Sequence, residues 1–599
     1  MSDSGSSGRL VASTAVTLSG LAASPGVAVG TALVLAPQRI SYVRRTLRSA
    51  EIDGELVRFE NAVAAAQDEL RAMGERSGGS RNEKSIIEAY LLMVADETLA
   101  QEVERHVRQN RRCVEWAVTS AIEVFVTQMD GQSDAYLRER SHDFEFVGER
   151  LLSALTGDGG RRELPNVTDK VVLVAHDVSP ADLLSFGRER LLAVATEVGT
   201  RTSHTAIVAR ALEIPSVLGV QGLLGHVASG DRIIVDGLRG SVTVRPNDEA
   251  VTTGLGRSQR HEALTRHLLH DVHRLTTMLD GEPIELLANI EFSHEARFAV
   301  DHGAQGIGLY RTEFLYSSRE ALPTEEEQLE HYLSVMAAMD GRPVVFRTFD
   351  MGADKPVGSL ILPAQANPAL GLRAVRLALE HPDLLLTQLR AMVRASVEGD
   401  VHIMVPMVSS LREWHEVKRL FDRAVAEVDA RRQGRAAHVP LGMMVEVPSV
   451  ALLIDRFAPH ASFLSLGTND LTQYTLAVDR TSPHLARLAS HFDPAVLRLV
   501  SGVVHGARAA GRPLTVCGAM ASDPLASILL VGMGLRRFSV EPAAIPELKE
   551  ALHRVSLAEA QAAADEVVEL TTAEDVEHLL ASLFAPRLFD LLSGDEASV

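Results

Sequence analysis

Cysteine is nearly absent: two residues in 599, Cys113 and Cys517. That excludes a disulfide framework and fits a reducing compartment. No long basic block occurs and the formal net charge is −20, which disfavours nucleic acid and anionic membrane surfaces as partners. The N-terminal stretch MSDSGSSGRLVASTAVTLSG has no basic region followed by a long apolar one, so a signal peptide is not expected. No run of about 18 apolar residues is present, so no membrane insertion is expected. A GxxxxGK[ST] loop and a kinase-like motif set are also lacking, which leaves a nucleotide site without support. These absences together predict a cytoplasmic protein.

The chain is too long for one hydrophobic core, and three or four domains are expected. Residues 1–17 read as a loose Ser-rich tail. SPGVAVGTALVLAP, 24–37, reads as a turn and a short strand. Ile52, Leu56, Phe59, Val63, Ala66, Leu70 and Met73 then form the stripe of a long packed helix. Helical patterns continue to about 156, where GDGGRRELP ends them. KVVLVAHDV, LLAVATEV, SVLGV and DRIIVDG follow as short strand candidates around a helix near 204–212. A small α/β domain is therefore expected; the early strand can belong to it, which would give it 18–40 and 157–246 with an all-helical domain at 41–156 as an insertion, an arrangement the strand pattern leaves open. A helical linker at 247–280 leads to a last domain at 281–599. There, ELLANI, GIGLY, VVFRT, HIMVPM, GMMVE, FLSLG, LTVCG and RFSVE alternate with helical runs. Eight such strands fit a (β/α)8 barrel; a doubly wound open sheet is the alternative. The chain from 557 reads as helical, with an amphipathic segment near 573–592.

Chemistry in such a barrel sits at the C-terminal ends of the strands. Asn289, Arg311, Arg347, Glu446, Asn469, Asp470 and Cys517 all fall at those ends, and DMGADK adds Asp350, Asp354 and Lys355. Each alone reads most simply as a surface ion pair or turn residue. Their recurrence at one rim points to a site. Converging arginines match phosphate or carboxylate oxygens. Glu446 and Asp470 are hard oxygen ligands suited to Mg2+, which favours one or two carboxylates plus substrate oxygens. The expected ligand is a small, phosphorylated and carboxylated molecule. Cys517 reads equally as a proton donor or acceptor and as a small buried apolar residue.

GTRTSHTAIVARALEIPSV, 199–217, puts His204 where a polar run gives way to an apolar helix. Thr202 or Ser203 can cap that helix, and its first turn suits a group that will carry negative charge. Without other information this is a helix start that contains a histidine.

The same stretch resembles the phosphohistidine signature of the phosphoenolpyruvate-utilising enzymes, and GTNDLTQYTLAVDR (467–480) resembles their barrel signature. GIGLYRTEFLY, NPALGLRAVR, MVPM, GMMVEVP and CGAMASDP also follow the family pattern. The layout is similar to the Enzyme I branch, from the sugar phosphotransferase system. The resemblance implies a multidomain α/β fold: a small swivelling phosphohistidine domain with an inserted helical domain, then a C-terminal (β/α)8 barrel. It implies phosphoenolpyruvate-protein phosphotransferase activity, with Mg2+ as cofactor. Phosphoenolpyruvate would bind Arg311, Arg347, Lys355, Asn469, Asp470 and Arg480, with Mg2+ on Glu446 and Asp470. Cys517 would handle the proton at the enolpyruvate carbon. His204 would take the phosphoryl group and pass it to the phosphocarrier HPr or an HPr-like protein, docked on the helical domain. Ser179, Thr202 and Arg373 match auxiliary positions, and active forms in this family are usually homodimers.

Some positions depart from the family pattern. Thr200 replaces a glycine, and Ala519 and Ser522 stand where the family has a glutamate and a glycine. In the helical domain Tyr90, Glu145 and Phe146 replace a histidine, an arginine and an aspartate. These three predict a carrier with a compensating surface. The alternatives are a regulatory phosphotransfer protein serving a divergent HPr-like partner, and a non-catalytic scaffold.

Overall fold

The computed structural model describes residues 15–35, 42–76, 90–91, 93–130, 135–156, 170–178, 183, 186, 190–199, 204–212, 214–293, 295–316, 322–352, 365, 367–479, 485 and 488–592. The chain divides into two units, Met1–Ala263 and Leu264–Val599.

The first unit is built on one eight-stranded sheet, in the order β1-β8-β7-β3-β4-β5-β6-β2. Its strands are β1 Val16–Ser19, β2 Leu21–Ser24, β3 Val27–Leu35, β4 Val171–Ala175, β5 Leu191–Thr196, β6 Ser216–Leu218, β7 Arg232–Asp236 and β8 Ser241–Val244. β3, β4, β5 and β6 pair in parallel, and β4 is buried at every position. That is why their sequences read as continuous apolar runs. The tail expected to be loose through residue 17 ends earlier, because Val16 and Thr17 pair with Val244 and Thr243.

β3 and β4 are neighbours in the sheet, with Ala32 opposite Val172, yet the helical segment lies between them in the chain. The helices Ile52–Arg76, Glu97–Arg108, Val114–Asp130 and Ala135–Thr156 form a separate core around Leu70, Leu99, Val103, Val118 and Val147. Phe59, Ala66 and Leu70 of the expected stripe are buried in it. Glu55 is buried as well. Its carboxylate accepts from Val114 N–H at 2.8 Å at the start of the third helix and pairs with Arg45 and Arg58, each at 2.9 Å. The helix Asp248–His270 fills most of the expected linker and is tied to β7 by Arg257 and Asp236 at 2.6 Å.

The second unit carries a closed parallel barrel of eight strands. They are β9 Glu285–Ile290, β10 Ile307–Tyr310, β11 Val344–Arg347, β12 Val401–Val405, β13 Leu441–Val445, β14 Leu464–Gly467, β15 Leu514–Cys517 and β16 Arg537–Val540. All eight candidates of the sequence are strands, and β16 pairs with β9, which excludes the open doubly wound sheet. Inside the barrel Leu309, Met404, Met444, Phe463 and Cys517 pack together. The larger core lies between strands and surrounding helices, as the fold requires. Helices Leu557–Val567 and Ala573–Leu592 complete the unit.

Candidate active site

The barrel brings its polar strand ends to one rim because each polar residue directly follows an apolar run. Asn289, near the end of β9, is locked by Ser539 of β16: its Nδ2 donates to Ser539 O at 2.9 Å and its Oδ1 accepts from Ser539 Oγ at 2.7 Å. Arg311 follows β10 and is ion-paired with Glu291, its side chain 40% exposed. Arg347 ends β11 and is buried. Its Nη2 donates to Glu313 Oε1 at 2.9 Å, and Nη1 lies 3.4 Å from Asp350 Oδ2. Its Nε, also buried, finds no hydrogen-bond acceptor among the described residues.

Asp350 is the hub of this network. Its backbone N–H donates to Glu313 Oε1 at 2.7 Å. Its carboxylate accepts from Arg373 Nη2 at 2.9 and 3.0 Å and from Nε at 3.2 Å. Arg373 Nη1 reaches Tyr474 OH at 3.3 Å and lies 3.9 Å from Asp470 Oδ1. Burial alone would favour neutral guanidines. The facing carboxylates outweigh it and hold both Arg347 and Arg373 above the usual arginine range.

Glu446 follows β13 and accepts from Met407 N–H at 2.6 Å. Asp470 lies in the first turn of the helix Thr468–Leu476, which follows β14 directly. Both carboxylates are buried. Burial, reinforced by Asp470 and Asp350, pushes Glu446 up to about 8. A buried carboxylate pair that resists its own full ionisation fits a divalent cation, because the ion removes that repulsion. Among the described residues no group of three or more His, Cys, Asp or Glu side chains could hold a metal. Two protein carboxylates with the remaining places left to water and substrate oxygens is a common Mg2+ arrangement.

Asn469 Oδ1 accepts from Ala519 N–H at 2.9 Å, which joins the β14 loop to the β15 loop. Gly518 makes this approach feasible: its φ is +116°, and a Cβ there would collide with Thr468 Oγ1. Cys517 is buried, with Sγ 3.3 Å from Ser465 Oγ and 3.5 Å from Leu466 O. Burial pushes its thiol up to about 11, so it is protonated at neutral pH. It is thus both a packed interior residue and a neutral thiol at a strand end.

In the first unit His204 opens the helix His204–Ala211, whose Ala206, Val208 and Ala209 are buried. Thr205 Oγ1 donates to Val178 O at 2.6 Å, anchoring the helix start to the segment that follows β4. Gly199 has a φ of +121°, a conformation that favours glycine. The side chains of His204 and Glu145, and residues Ser179, Thr200, Thr202, Lys355 and Arg480, lie outside what is described.

Tyr90 and Phe146, expected on the carrier-binding surface, are core residues. They are 3% and 5% exposed, with ring centroids 4.7 Å apart. Both rings are consumed by packing inside the helical domain, so neither presents a side chain to a partner. Sequence reasoning also passed over Glu291, Glu313 and Tyr474. The acidic residue in YRTEF, two places after Arg311, was the available signal for Glu313.

Three family models cover most of the chain: the PEP-utilising enzyme N-terminal domain at residues 19–140, the mobile domain at 167–240 and the PEP-binding domain at 266–557. A phosphoenolpyruvate-protein phosphotransferase of Geobacillus stearothermophilus is 38% identical over 577 residues, 95% of this chain and 98% of that protein. One from Staphylococcus carnosus is 37% identical over 571 residues, 94% and 98% of the two chains. A solution NMR structure of Enzyme I is 33% identical and spans 41% of this chain and 99% of its own, with a TM-score of 0.35.

Proposed function

The chain belongs to the PEP-utilising enzymes, and from that membership and the barrel rim we infer that it is a phosphoenolpyruvate-protein phosphotransferase. It takes the phosphoryl group of phosphoenolpyruvate onto a histidine and passes it to an HPr-type carrier. The observation that carries the site assignment is one rim holding buried, charged Arg347 together with the buried carboxylates Glu446 and Asp470.

Arg311 and Arg347 bind the phosphate of phosphoenolpyruvate, and Arg347 Nε–H supplies a buried donor in need of an acceptor. Arg480 and Lys355 hold further substrate oxygens, and Asn469 fixes the β14 loop against the β15 loop. Glu446 and Asp470 hold Mg2+, which when bound draws charge from the phosphoryl oxygens. Arg373 keeps Asp350 and Asp470 oriented. The neutral imidazole of His204 attacks phosphorus; the N–P bond forms as the bond to the enolpyruvate oxygen breaks. Cys517 gives its proton to the enolpyruvate carbon, producing pyruvate, and regains one from solvent. Ser179 and Thr202 donate to the phosphohistidine. The carrier docks on the helical domain, and the enzyme acts as a homodimer through its barrel unit. Among the described residues no helix is long and apolar enough to cross a membrane.

Incubation with Mg2+ and 32P-labelled phosphoenolpyruvate tests the reading. Acid-labile, base-stable label is expected on the wild type and not on His204→Ala. Equal labelling of both would refute the assignment of His204. Transfer of the label to HPr proteins tests the second half-reaction.

A further inference from the structure

The helix Pro382–Ala395 buries an apolar face of Leu385, Leu386, Leu389, Met392 and Val393. Gln388 is fully buried on it. A primary amide in such a place costs free energy unless its hydrogen bonds are made. Here they all are. Oε1 accepts from Phe349 N–H at 3.0 Å, and Nε2 donates to Thr312 Oγ1 at 3.0 Å and to Tyr332 OH at 3.3 Å.

The polarity of this network is fixed by its ends. Phe349 N–H can only donate, so the amide oxygen must face it and the amide nitrogen must face the two hydroxyls. Thr312 then passes its own proton on, to Arg347 O at 2.9 Å. Tyr332 passes its proton to Gln328 Oε1 at 3.2 Å, and Gln328 Nε2 donates to Pro323 O at 3.2 Å. That carbonyl can only accept, so the chain closes without a conflict.

Thr312 directly follows Arg311, and Phe349 lies between Arg347 and Asp350. Beside the direct bonds of Thr312 and Glu313 to the β11 loop, one side chain from outside both loops therefore braces the separation of the two loops that carry the phosphate-binding arginines. Taking phosphoenolpyruvate as the donor, we propose that Gln388 is a positioning residue for Arg311 and Arg347. It touches no substrate. It holds both strand ends at the spacing the phosphate requires.

Two near-isosteric variants of the full-length protein test this. Gln388→Met removes every polar bond. Gln388→Glu keeps the acceptor for Phe349 N–H but offers Thr312 and Tyr332 an acceptor, so Thr312 turns its proton away from Arg347 O. Both should lower kcat/KM for phosphoenolpyruvate in autophosphorylation by about 10-fold or more, chiefly through KM. Phosphoenzyme prepared by exhaustive labelling and freed of donor should pass its label to HPr at the wild-type rate. A value of kcat/KM within twofold of wild type in both variants overturns the positioning role. So does an equal loss in both half-reactions, which marks a general loss of fold. If the wild type itself takes no label, it is the reading of the donor that has failed.

Discussion

Arg347 and Glu313 meet at 2.9 Å where their side chains are only 11% and 10% exposed, and the same Glu313 oxygen accepts from Asp350 N–H. The pair spans the loops after β10 and β11 and holds a guanidinium at the proposed phosphate site. Removing one partner of a buried pair leaves the other charge uncompensated. Glu313→Ala is expected to destabilise the barrel unit by about 3 kcal/mol. Glu313→Gln should cost less, since its amide oxygen still accepts from Asp350 N–H. Denaturant unfolding checks both. A loss below about 1 kcal/mol for the alanine variant would show that Asp350 alone suffices for Arg347.

Glu446 illustrates a cost of the same site. Its folded-state value is about 8 against an ordinary 4.5, so the folded protein binds the extra proton between those values. Stability from this group is therefore present below about 4.5 and is lost as pH rises through about 8. Glu446→Gln keeps an acceptor for Met407 N–H without the charge. Near pH 8 and with EDTA it should be more stable than wild type by roughly 1 kcal/mol and melt at a higher temperature, and it should not be labelled from phosphoenolpyruvate. Mg2+ should raise the melting temperature of the wild type and leave that of the variant unchanged. A variant less stable than wild type at every pH would contradict this account.

Much of this was legible because chemistry interrupts apolar runs. Arg311, Arg347, Glu446 and Cys517 stand at the ends of strands that are buried almost throughout, so strand and rim residue were read together. β1, β2 and β8 were not legible: VTLS, LAAS and SVTV are four-residue strands of mixed polarity; β1 and β2 are held by antiparallel partners far away in sequence, and β8 bridges distant β1 and neighbouring β7. Glu313 was missed for a related reason. It lies in a short 3-10 turn, and only the parallel pairing of β10 with β11 brings it to Arg347. Tyr90 and Phe146 went the other way. Positions read as docking residues from their departure from a polar pattern are aromatic because they face each other in a core.

That core placement has its own consequence. Phe146 packs on Tyr90, and Arg150 lies over its ring at 4.8 Å. Phe146→Ala should destabilise the helical domain by about 3 kcal/mol through the cavity it leaves. Phe146→Leu should cost less than about 1.5 kcal/mol and leave phosphoryl transfer to HPr near the wild-type rate. A folded Phe146→Leu variant that transfers many-fold more slowly would return this residue to the docking surface.

The last prediction concerns Cys517, whose thiol is pushed by burial from an ordinary 9.0 to about 11. The folded protein holds the proton that the unfolded chain has already released in that interval. Stability from this group is thus full below about 9.0 and falls as pH rises toward about 11. In a Cys113→Ala background one thiol remains, and its thiolate absorbance near 240 nm is read as the difference from the thiol-free Cys113→Ala/Cys517→Ala protein, which cancels the tyrosinate absorbance of the seven tyrosines. The rise is expected near pH 11, and a rise at or below the ordinary value would mean that the thiol is solvated rather than enclosed with Leu309, Met404, Met444 and Phe463. A neutral thiol throughout the physiological range is what donation to an enolpyruvate carbon demands. Cys517→Ala should therefore lower pyruvate formation by about 100-fold or more, the range lost with a general acid. Cys517→Ser should recover little, because a hydroxyl holds its proton more tightly than a thiol. Pyruvate released by the alanine variant at the wild-type rate would remove Cys517 from the chemistry and leave it as packing inside the barrel.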